Sequence, residues 1–222
     1  MADDGTRYTV QELGNVHIVN DRLYDHKTIR INYSTYDLLR DYDIVNPSKH
    51  ANIMTVSPLF DANSSSASDG HPFRYARVLG IYHADVVHFH PSKHTSVAQS
   101  LEFLLVHWYR RDLAYKAGFK RCRLHRLQLT PPEDPNAFGF LDPDDIIRGS
   151  HLIPAFARGP AEASRLPSVA NNGRQAWNAY YVNWYVVQFE NLRFLGASLI
   201  EFQALWTGIC ICAFAAVASV MF

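Results

Sequence analysis

Polar and apolar residues alternate with a period of two early in this chain. Between residues 28 and 33, Ile29, Ile31 and Tyr33 alternate with Thr28, Arg30 and Asn32. That spacing predicts a half-buried strand, because successive side chains leave a strand on opposite faces. β-rich and apolar runs between turn signals predict further strands over residues 16–19, 53–56, 75–82, 85–89, 101–109, 124–129, 138–141, 151–156 and 180–187. Asn46-Pro47-Ser48 and Pro131-Pro132-Glu133-Asp134-Pro135 read as turns. Asp142-Pro143-Asp144-Asp145 reads as a helical turn, with carboxylates at its positive end.

Many short strands with frequent turn signals and no helix–strand alternation predict a mainly β fold. The expected architecture is a small antiparallel β-barrel or curved sheet, BAH/SH3-like by analogy, with short helices. Val78, Ile81, Phe103, Leu105, Val106, Leu127, Phe138, Phe140, Ile147, Ile153 and Tyr181 are its expected core. Residues 1–27 form an N-terminal arm and 28–192 the β-rich module, with loops at 61–72 and 157–176. The first loop holds a low-complexity Asn-Ser-Ser-Ser-Ala-Ser-Asp-Gly run.

Residues 193–222 break the pattern. Phe202 to Phe222 contains no charged residue. This segment predicts a C-terminal apolar helix, with Ala204, Trp206, Ile209, Ile211, Phe214, Val217, Val220 and Phe222 on a possible membrane span. From Ala204 onward it would be about 28 Å long, close to the ~30 Å hydrocarbon thickness of a bilayer. Such a protein would be tail-anchored with its N-terminus in the cytosol; without insertion it would be nuclear or cytoplasmic.

Composition narrows the chemistry. Hydrophobic residues at 48% and charged residues at 19% exclude global disorder. Net charge is zero, so attraction to nucleic acid must come from a local patch. Arg110, Arg111, Lys116, Lys120, Arg121, Arg123 and Arg126 supply one, interleaved with Trp108, Tyr109, Tyr115 and Phe119. Cations neutralise phosphates and aromatic rings stack on bases, so these cations are the candidate nucleic-acid contacts. The competing reading is a solvated connection between strands.

Histidines at 83, 88, 90, 94, 107 and 125 raise the alternative of a metal enzyme. No HExxH or other ligand spacing accompanies them, and neither a metal nor another cofactor is assigned. GxGxxG, P-loop and GxSxG motifs are also missing. Cys122, Cys210 and Cys212 form no disulfide framework, which suits a reducing compartment. The acidic opening Met1-Ala2-Asp3-Asp4-Gly5 predicts no secretory leader.

Several ordered blocks resemble a known family. They are Ile31-Asn-Tyr-Ser-Thr-Tyr-Asp37, Tyr75-Ala-Arg-Val-Leu-Gly-Ile-Tyr-His83, Leu101-Glu-Phe-Leu-Leu-Val-His-Trp-Tyr109, Arg123-Leu-His-Arg-Leu127, Ala137-Phe-Gly-Phe-Leu-Asp-Pro143, Ile147-Arg-Gly-Ser-His-Leu-Ile-Pro-Ala-Phe156 and Tyr180-Tyr-Val-Asn183. Together they resemble the C-terminal accessory region of fungal Plavaka-type transposon proteins, related to the Kyakuja–Dileera–Zisupton group. The resemblance spans roughly residues 28–183 and ends where Trp184-Tyr-Val-Val187 replaces the family's charged continuation. It implies a non-catalytic interaction module whose partner is nucleic acid, chromatin or a transposase component. A tail-anchored membrane protein with a cytosolic β domain is the alternative.

Overall fold

The structure, a computed structural model, describes residues 16–34, 39–57, 71–88, 98–118, 121, 123–161 and 176–183. Two long strands organise it: β6 (Phe73–His88) and β7 (Gln99–Arg111), paired antiparallel. The first half of β6 also pairs with β5 (Asn52–Val56), and its second half with β2 (Tyr24–His26) and β1 (Val16–Ile18). The other side of β7 carries β9 (Phe138–Leu141) and then β8 (Arg126–Leu129). Beyond β5 lies β10 (Ile146–Gly149); beyond β8 lie β12 (Tyr180–Val182) and β11 (Leu152–Pro154). These ten strands make one antiparallel sheet curled into a half-barrel. A separate hairpin, β3 (Ile29–Ser34) with β4 (Arg40–Val45), covers part of it.

Curling has a local cause. The β6–β7 register breaks between Val78 and Gly80. An irregularity of this kind bends a strand and increases its twist. Gly80 is also where the Tyr82 ring lies across the backbone, leaving no room for a β-carbon.

Sheet curvature and the hairpin bury both faces of the central strands. Ile53 and Met54 are neighbours on β5, and each is fully buried. Ile53 joins Val78, Ile81, Leu104 and Val106 beneath Ile31 and Val45 of the hairpin. Met54 joins Tyr75, Tyr109 and Leu127, and Leu152, Tyr180 and Val182 close over them. Truncating a buried aliphatic such as Ile53 to alanine typically costs ~2–5 kcal/mol.

The mainly β expectation holds in the coarser form of a curled, open sheet. The helical elements among the described residues include single 3-10 turns at Val19–Asp21, Pro143–Asp145 and Phe156–Arg158. Residues 75–82 and 85–89, expected as two strands, belong largely to the single strand β6, which ends at His88. His83 and Asp85 interrupt the apolar run, but alternation continues through buried Ala84. The region set apart as an arm contributes β1 and β2. Strands β2, β4 and β10 were not anticipated.

Core membership also shifts. Val78, Ile81, Val106 and Leu127 are buried as expected. Phe103, Leu105, Phe138, Ile147, Ile153 and Tyr181 are only partly covered. Phe140 is 72% exposed and stands edge-on to Phe103. Among the described residues no helix is long and apolar enough to cross a membrane. Ala204, Trp206, Ile209, Ile211, Phe214, Val217, Val220 and Phe222 lie outside the described residues, as does most of each predicted loop.

Candidate nucleic-acid interface

The basic run occupies the end of β7, the connection that follows, and the start of β8. Asp112 closes the base of that connection. Its backbone N–H donates to the Arg126 carbonyl, at 3.0 Å. Its Oδ2 accepts from Arg126 Nε and Nη2, at 2.9 and 2.7 Å. Its Oδ1 accepts from the Tyr115 backbone N–H, at 3.3 Å. Burial raises the Asp112 pKa, but the hydrogen bond and charge of Arg126 outweigh it, and the carboxyl sits below its ordinary value. The Arg126 guanidinium also lies 4.1 Å from the Tyr115 ring centre.

Further out, the chain reverses at Gly118, whose φ of +111° strains any side-chain-bearing residue. Gly118 N–H donates to the Arg123 carbonyl at 2.9 Å, and Arg121 N–H to the Gly118 carbonyl at 3.0 Å. This reversal presents Lys116, Arg121 and Arg123 to solvent.

The seven predicted cations therefore do not share one role. Arg111, Lys116, Arg121 and Arg126 come together around a cleft of about 240 Å³, with Asp112, Tyr115 and His125. Within that set Arg126 is paired with Asp112 and buried, at 8% exposure. Arg123 is exposed and 6.0 Å from the Tyr115 ring centre. Arg110 points away from Arg111, because neighbours on a strand face opposite sides. It lines a second cleft of about 670 Å³ with Arg158, Trp177, Pro131 and Pro132. Lys120 lies outside the described residues.

Arg158 and Trp177 were missed by sequence reasoning. Only the pairing of β12 with β8 brings that part of the chain beside Arg110, and no local motif signals it.

Two histidines back the smaller cleft. The His71 and His125 rings are 4.4 Å apart, and His71 Nε2 is 3.2 Å from the Tyr75 hydroxyl. Burial, reinforced by the charge of Arg111, lowers His125 to about 4. Burial, reinforced by His125, lowers His71 to about 3. Both are therefore neutral at physiological pH, and the cleft's positive charge comes from its Arg and Lys side chains.

The other predicted chemistry is structural or lies elsewhere. Asp142 Oδ1 caps the turn at Pro143–Asp145 by accepting from Asp144 N–H, at 2.9 Å. His107 is fully buried and its Nε2–H donates to the Thr130 carbonyl at 2.7 Å. His90 and His94 lie outside the described residues, as does Cys122. Among the described residues no three His, Cys, Asp or Glu side chains converge on a metal position.

No family model, curated protein or solved structure matches the chain.

Proposed function

We propose that this chain is a non-catalytic nucleic-acid-binding module, and that its contact surface is the cleft at the β7–β8 end. The observation that carries the reading is the gathering of Arg111, Lys116 and Arg121 around Tyr115 in one opening. Cations there meet phosphates, and a tyrosine beside them offers a ring for a base. The resemblance to Plavaka-type accessory regions supports the same reading. It makes a transposon-derived protein that meets DNA, chromatin or a transposase component the natural context.

The test is DNA binding by the full chain, single- and double-stranded, across a salt series. Each phosphate contact contributes roughly 0.9 to the slope of log affinity against log salt on duplex DNA. Lys116→Glu with Arg121→Glu should weaken binding to all sequences and flatten that slope. Equal binding by this variant and the parent rules the cleft out.

A second reading rests on the uncharged run from Phe202 to Phe222: a tail anchor that holds the β module at a membrane's cytosolic surface. Extraction from membranes by carbonate alone would rule out that anchoring; release only by detergent supports it.

A further inference from the structure

We propose that His26 and His83 form a two-histidine site for a divalent transition-metal ion of the zinc, nickel or copper class. It lies on the outer half of the sheet, away from the basic cleft, and is independent of the nucleic-acid reading. Pairing of β2 with β6 sets Tyr24 opposite His83 and His26 opposite Ile81. Residues opposite or two apart across a ladder share a face, so Tyr24, His26 and His83 all stand on one side.

Their rings are organised rather than merely adjacent. Tyr24 stacks flat on His83, with centres 4.6 Å apart and planes 9° from parallel. The His26 and His83 ring centres are 4.8 Å apart, with planes 28° from parallel. His26 Nε2 and His83 Nδ1 point at each other across 2.5 Å. One ring therefore donates its N–H to the bare nitrogen of the other.

A metal ion can replace that proton. Imidazole nitrogens bind zinc at ~2.0–2.1 Å, and a tetrahedral angle would place the pair roughly 3.3 Å apart. The required opening is under about 1 Å by that geometry. It is feasible because His26 is exposed and β2 is a three-residue edge strand. Water completes the coordination. His83's partner is thus His26, 57 residues away in sequence. The consequence is mechanical: an ion bridging β2 and β6 would staple the N-terminal strands to the sheet, stabilising the folded state by mass action.

The experiment titrates the metal-stripped full chain with Zn²⁺ and Cu²⁺, following heat and the thermal midpoint. One bound equivalent and a raised midpoint are expected. His26→Asn and His83→Asn should each weaken binding by at least about tenfold and abolish the midpoint shift. Protection of histidines from acylation by diethylpyrocarbonate, mapped by mass spectrometry on the unaltered protein, covers the case where a variant misfolds. Zn²⁺ should protect His26 and His83 together. Unchanged affinity in the double variant, no binding by the parent, or protection at other histidines only, would each overturn the site.

Discussion

Asp112 and Arg126 face each other across the base of the β7–β8 connection, joined by two hydrogen bonds onto a single carboxylate oxygen at 2.9 and 2.7 Å. Their side chains are 14% and 8% exposed, so the pair is largely withdrawn from water. Its value lies in geometry. It anchors the loop that displays Lys116 and Arg121, and it places Tyr115 beneath a guanidinium.

Breaking one side of such a pair costs more than replacing both. Removing one partner of a buried ion pair typically costs ~3–5 kcal/mol, because the other charge is left uncompensated. Asp112→Ala should therefore destabilise the fold by about that amount at the upper limit, less because some water reaches the pair. Asp112→Ala combined with Arg126→Met should recover part of the loss. Urea unfolding of the two variants checks this; a double variant worse than the single one contradicts the argument.

Acid should act through His71 and His125. Their folded pKa values, about 3 and about 4, lie below the ordinary histidine value of 6.5. The unfolded chain therefore takes up protons first as pH falls. The stability these neutral rings contribute is intact above pH ~6.5 and is lost progressively toward pH about 4 and then about 3. Thermal midpoints measured from pH 7.5 to 4.5 should decline, and His125→Gln should make the decline shallower. Parallel curves for variant and parent would assign the acid sensitivity elsewhere.

Gly80 and Tyr82 should be energetically coupled. A β-carbon at residue 80 would lie on top of the Tyr82 ring, which must then leave its place beside Phe103. Overpacking of this kind costs typically ~1–3 kcal/mol. Gly80→Ala is expected to destabilise the parent within that range and to be close to neutral beside Tyr82→Ala. A double-mutant cycle measures the difference; additive effects would mean that the ring is not what glycine accommodates.

Arg148 holds the hairpin to the sheet. Its Nε donates to Asp43 Oδ2 at 3.2 Å, and its guanidinium lies 3.7 Å from the Tyr33 ring centre. Asp43 also accepts from Gly149 N–H, at 3.0 Å. Arg148→Met leaves a partly buried carboxylate with one fewer partner and removes the ring contact. Amide exchange of Ile31 and Val45 should accelerate relative to that of Leu104; an unchanged ratio would show that apolar packing alone docks the hairpin.

What could be read from the sequence was local. The alternation of Ile29, Ile31 and Tyr33 specified β3, the Phe138–Leu141 run specified β9, and Asp142 marked its own cap, because each depends on neighbours along the chain. The basic run was visible as composition, since charge needs no contact to be counted. Tertiary structure decided which residues meet. It made one strand of the segments either side of His83 and Asp85, and exposed Phe140 while burying Leu104. It turned Arg126 inward to Asp112, carried Trp177 to Arg110, and set His26 against His83. These outcomes depend on strand order and sheet curvature, which arise from pairings between distant segments, and period-two patterning says which side of a strand is apolar but not which neighbour will cover it.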